Sequence, residues 1–189
     1  RKHSKKNSFM TLNSVMKELK KAGTAQNIKV YKRHGAQEPL FGVSFAHLKK
    51  MVKKLKGNTD LAIELWETQN SDARTLALMI AKPEDLNAQM IDQWVKDIDY
   101  TLLAGYFGSL VGKTRFADSR MKKWMKSKKD FIKDTGFSVL SSRLKENPDS
   151  ISKKDCKEYL QTIEETIHKS PNRAKHSMNT SLMAIGIFK

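Results

Sequence analysis

The chain has 189 residues, a length suited to one domain in which roughly two-thirds of the unfolded chain's surface becomes buried. Lys and Arg number 36 against 20 Asp and Glu, and the net charge of +16 exceeds what solubility demands, which points to a polyanionic partner. Cys156 is the only cysteine, so an intramolecular disulfide and cysteine-based zinc sites are excluded, and no apolar run approaches the ~18 residues of a membrane span.

Residues 1–9 read as a basic arm without the apolar stretch of a secretory signal, so a cytoplasmic protein is expected, in a bacterial-type cytosol or nucleoid. A start without Met and an end at Ile187-Phe188-Lys189, inside an apolar helical pattern, suggest a C-terminus truncated from a longer product. Beyond the arm, apolar residues recur at helical rather than alternating spacing. Helices are predicted at about 10–21 and 25–34; in the second, Lys29, Lys32 and Arg33 lie on adjacent turns ahead of Gly35 as its stop. Those three are either phosphate contacts or a solvated face. Ser44 caps a third helix with the stripe Phe45, Leu48, Val52 and Leu55, ended by Gly57, and Lys49, Lys50, Lys53 and Lys54 fall on its other face.

Helices at 59–68, 71–81 and 87–97 carry Trp66 and Trp94 near their ends, and both are read as core. At the start of the next, at 99–112, stand Asp97 and Asp99, which are read as its caps and dipole partners. Between Lys113 and Lys133 nine cations face only Asp118 and Asp130, across helices at 115–126 and 128–145. Phe116, Trp124, Met125 and Phe131 are interleaved, which describes a phosphate-tracking ridge whose aromatics are read mainly as core. Ser152 and Asp155 form a capping-box pattern ahead of the stripe Cys156, Leu160, Ile163 and Ile167, so Cys156 is expected inside. In the last helix, 171–188, Pro171 is expected at the first position, and the free N–H groups there would attract anions beside Arg173 and Lys175.

Short helices joined by short polar turns bury their faces by stacking in pairs, so one all-α domain over 1–189 is expected, an α-solenoid of the HEAT or armadillo kind. No clean repeat at the ~40–47 residue period is detectable, and a compact irregular bundle is the alternative. His3, His34, His47, His168 and His176 are scattered without metal-ligand spacing, and phosphate loops and a GxSxG elbow are absent. Neither metal nor cofactor is expected.

Three stretches carry a family resemblance. They are Tyr31-Lys32-Arg33-His34-Gly35 with Phe41-Gly42-Val43-Ser44, Leu61 to Thr68 running into Asp72-Ala73-Arg74, and Ile167 to Arg173 followed by Met178-Asn179 and Ile185-Gly186. In order and spacing they resemble the AlkD-type DNA alkylation repair proteins, the HEAT-like-repeat DNA glycosylases. The resemblance implies a concave basic groove for duplex DNA and excision of N3- or N7-alkylated purines, with a carboxylate that stabilises the sugar cation. That acid would fall on Ala104 or Gly105, its preceding tryptophan near Tyr100, and a later Trp and Arg near Thr180 and Met183.

The expected function is therefore binding of damaged, distorted or branched duplex DNA by a monomer, with the standard catalytic acid missing. Tyr100 and Asp99 are the remaining catalytic candidates. Candidate backbone contacts are Lys29, Lys32, Arg33, Arg74, Lys113, Arg115, Lys122, Lys123, Arg173 and Lys175. Two alternatives stay open: an active alkylpurine glycosylase with a substituted constellation, and a solenoid scaffold for an acidic protein.

Overall fold

The computed structural model describes residues 10–189, and the basic arm expected at 1–9 lies outside them. Eleven α-helices follow in order among the described residues: α1 Leu12–Ala22, α2 Ala25–Arg33, α3 Phe45–Leu55, α4 Thr59–Glu67, α5 Ser71–Ile80, α6 Ala88–Trp94, α7 Thr101–Val111, α8 Ala117–Met125, α9 Asp130–Glu146, α10 Lys153–Thr166 and α11 Asn172–Phe188. No strand occurs among these residues beyond one isolated bridge between Gly23 and Val43. No helix in this range is long and apolar enough to cross a membrane.

Local chemistry sets most of the starts. Thr11, Thr24, Ser44, Asn58, Asn70, Asn87 and Ser152 each accept a hydrogen bond from a first-turn backbone N–H, which satisfies a donor the helix itself leaves free. Two expected starts need correction. Asp97 and Asp99 do not cap α7, whose N-cap is Tyr100 with no side-chain bond, because Asp97 is engaged instead by the indole Nε1–H of Trp66 at 3.2 Å. Pro171 is the N-cap of α11, one position ahead of its expected place.

The helices form two rows. In the inner row α3, α5, α7, α9 and α11 each pack on the next, and α4, α8 and α10 back onto α5, α9 and α11 from outside. Ridges of small residues allow the tightest of these contacts: a Cβ on Gly108 of α7 would lie 2.6 Å from the Ser138 side chain of α9. Beneath α7 an aromatic cluster ties the rows together. Trp66 and Trp94 stack at 4.5 Å, both stand 6.3 Å from Phe107, and Phe107 stands 5.9 Å from Trp124. Each of these four rings is buried, as is Cys156.

At the α9–α11 contact, Asp134 is buried with its Oδ2 unpartnered. Burial pushes its pKa up to about 7, against weaker opposing pulls from the Ser177 hydroxyl and Arg173. A carboxyl that holds its proton more tightly folded than unfolded costs stability as pH rises from the unfolded value of 3.8 to about 7, and the loss is complete above that. Denaturant unfolding between pH 4.5 and 8 should therefore show the wild type losing a few kcal/mol that Asp134→Asn does not lose. Parallel pH profiles for the two proteins would refute this assignment.

Candidate functional site

Helix α7 has two faces. Leu103, Ala104, Phe107, Leu110 and Val111 point into the core, whereas Thr101, Leu102, Gly105, Tyr106 and Ser109 line an open groove of about 770 Å³. Opposite them stand Val30, Tyr31 and His34 of α2 and its C-cap, Phe45 of α3, and Arg173 and His176 of α11. The turn after α2 and the start of α11 meet there: a Cβ on Gly35 would lie 3.4 Å from an Arg173 guanidinium nitrogen.

The α2–α3 wall is held in place by a buried carboxylate. Asp72, at the start of α5, accepts backbone N–H bonds from Phe41 at 2.6 Å, Gly42 at 3.0 Å and Val43 at 2.8 Å. The same loop returns its carbonyls to α2. Gly42 O accepts from Thr24 N at 3.1 Å and Asn27 Nδ2 at 3.0 Å, and Val43 O accepts from the Tyr31 hydroxyl at 2.8 Å. Gly42 has φ +75°, and a Cβ there would come within 2.6 Å of Thr24 O, so no side chain fits. Thus fixed, Tyr31 meets Phe45 edge-on at 6.1 Å, and Phe45 lies parallel to Tyr106 at 6.2 Å with 14° between planes.

Burial raises the pKa of all three groove tyrosines, most for Tyr100, which is pushed up to about 12; Asp72 adds to the effect at Tyr31 and Tyr100. They are neutral phenols at physiological pH and cannot act as bases there. None of the residues lining the groove is a carboxylate. Ala104 is fully buried, so the groove-facing one of the two positions expected to hold an acid is Gly105, which is exposed with nothing within 4 Å of where its Cβ would stand. Asp99 does not line the groove. It is half-buried with Oδ1 unpartnered, and desolvation raises its pKa against the pull of Arg74.

The ten cations expected to share one groove do not. Arg173 stands in the wall and Arg33 flanks it, while the helical register turns Lys29, Lys32 and Lys175 toward the backs of their helices. Lys32 is paired with Glu38. Arg74 is interior: its side chain is 11% exposed, its Nε donates to Trp66 O at 3.2 Å, its Nη1 donates to Asp97 O at 3.3 Å, and its guanidinium lies 4.9 Å over the Trp66 ring. Its charge serves the core. Lys122 and Lys123 belong to α8, whose Trp124 packs on Phe107 on the side away from the groove, Lys113 and Arg115 lie in the turn between α7 and α8, and none of the four lines the groove. Lys113 pairs with Glu146 at 2.9 Å, Lys122 pairs with Asp118 at 3.2 Å, and Arg115 lies over Phe116. A second hollow opens on this outer side, lined in part by Lys96, Lys123 and Lys129.

Sequence reading missed Tyr31, His34, Phe45, Tyr106 and His176 as groove residues. One signal was present for α7, since Thr101, Gly105 and Ser109 are small or polar at i, i+4 and i+8 of an otherwise apolar helix.

The model of a family described as DNA alkylation repair enzyme matches residues 15–189. The chain belongs to this family. Among its relatives is the uncharacterised protein Lin0241 of Listeria innocua, 30% identical over 187 residues that cover 96% of this chain and 81% of the relative. The uncharacterised protein Lmo0209 of Listeria monocytogenes is 29% identical with the same coverage. A solved structure, described as a new family of proteins related to the HEAT-like repeat DNA glycosylases with affinity for branched DNA structures, matches with a TM-score of 0.90. It is 30% identical and covers 95% of this chain and 77% of that one. The all-α stack is accordingly a HEAT-like repeat fold. Within this member of the family, two of the stretches that carry the resemblance, Phe41 to Ser44 and Asp72 to Arg74, form one structural unit: the Asp72 carboxylate clamps the first from the second.

Proposed function

We propose that this member of the family binds branched or distorted duplex DNA through its charge and shape, and does not excise alkylated bases. The observation that carries this reading is the groove's lining: basic and aromatic side chains with Gly105 in the place of an acid. An oxocarbenium-like transition state needs negative charge beside the sugar, and neutral phenols do not supply it. Two separated cationic surfaces, the groove rim at Arg33 and Arg173 and the outer ridge at Lys123, Lys126, Lys128 and Lys129, suit a DNA with more than one arm. The likeness to a protein described as having affinity for branched DNA supports the same reading. DNA as partner goes with a cytosolic or nucleoid location.

Fluorescence anisotropy with a four-way junction and a linear duplex of equal length, near physiological salt, tests it. A preference for the junction of at least about tenfold is expected. Equal affinities would remove the branched-DNA reading, and no affinity for either would favour an acidic protein as partner. Incubation with methylated duplex is expected to release no methylpurine above the level seen with Tyr100→Ala.

A further inference from the structure

Resting on the DNA-binding reading above, we infer that the α2–α7–α11 groove takes the base of an unstacked nucleotide. The space below the rim is sized for one base rather than for a duplex. An Arg173 guanidinium nitrogen stands 3.4 Å from where a Gly35 Cβ would be, so the turn after α2 and the start of α11 meet at its edge. Its volume of about 770 Å³ lies within the range of small-ligand pockets, roughly 300–1,000 Å³.

Its walls match a planar aromatic guest. Phe45 and Tyr106 present parallel rings, and the Tyr31 hydroxyl bond to Val43 O fixes the third ring edge-on to Phe45. Every nucleobase has a face that stacks on such rings without regard to sequence. The floor is clear at Gly105, the one α7 position in the groove that has no side chain. A hydroxyl of Thr101 is buried in the lining without a partner, and Arg173 and His176 stand at the α11 side, where the nucleotide's phosphate would lie. Bases are unstacked at little cost where a duplex branches, bulges or is damaged. The groove would therefore favour such DNA by holding the base that regular duplex keeps stacked.

The test compares a duplex carrying a single-nucleotide bulge with the same duplex carrying an abasic bulge, so that shape and charge are matched and only the base differs. The base-containing bulge is expected to bind roughly tenfold tighter, the size of one stacked base. In Gly105→Phe, whose new ring occupies the floor, the ratio of the two dissociation constants is expected to fall to about one, and Tyr106→Leu should lower it as well. Equal binding of the two bulges by the wild type would overturn the inference while leaving DNA binding intact. Binding of neither bulge, nor of a four-way junction, would defeat the DNA-binding reading itself. Displacement of bulged DNA by millimolar free deoxynucleoside monophosphate would assign the groove to a free nucleotide instead.

Discussion

Replacing Arg33 and Arg173 together with glutamine is expected to flatten the dependence of log K on log salt for a linear duplex by about 2 units of slope. Each phosphate neutralised by a cation releases counterions and contributes roughly 0.9 to that slope. Between 50 and 200 mM salt, the wild type should then lose about 10-fold more affinity than the variant, because a fourfold change in salt is raised to that power. Lys29, Lys32 and Lys175 face the backs of their helices, Lys32 is also neutralised by Glu38, and Arg74 is held inside by Trp66 and Asp97, so none of them should contribute. An outer set, Lys123, Lys126, Lys128 and Lys129 to glutamine, should change the slope for a four-way junction more than for a linear duplex. Those lysines lie behind α7, where a single straight duplex held at the rim does not reach. If the outer set alone flattened the linear-duplex slope, the duplex would lie behind α7 and not at the groove rim.

Helix number and type were legible because they are local properties. Seven side-chain caps at Ser, Thr or Asn mark helix starts in the chain itself, and Trp66, Trp94 and Cys156 fall inside as their spacing among apolar neighbours predicts. The site was legible only in part, because which cations share a surface depends on the curvature of the stack. The densest run of positive charge, from Lys113 to Lys133, suggested the groove, yet α8 is an outer-row helix and carries that charge to the opposite side. Arg74 was misjudged for a different reason. It sits in α5, Ser71–Ile80, where most other residues are buried, and an arginine in such a setting is held by interior partners rather than presented to a ligand. The position of the missing acid was readable to within one residue, and burial alone separated Ala104 from Gly105.

Asp72→Ala is expected to be the most damaging single substitution for the fold. Removing the carboxylate leaves the N–H groups of Phe41, Gly42 and Val43 without their acceptor, in a place where Gly42 and Val43 are buried from water. Each orphaned buried donor costs about 1–3 kcal/mol, so Gly42 and Val43 together cost roughly 2–6 kcal/mol, and half-buried Phe41 adds less. A domain typically has only about 5–15 kcal/mol of stability in total. Chemical denaturation should show the midpoint collapsing, with far-UV helicity largely retained below the transition if the protein still folds. Asp72→Asn retains one carbonyl acceptor and should lose less, which distinguishes the loss of the clamp from a general intolerance of change at the start of α5. The damage should reach the groove as well. Tyr31 is positioned by Val43 O and Phe45 follows the same loop, so releasing residues 41–43 loosens two of the three rings that form the wall. In the Asn variant, affinity for bulged DNA should therefore fall more than affinity for linear duplex. A uniform fall in both would show that the clamp supports the fold without shaping the groove.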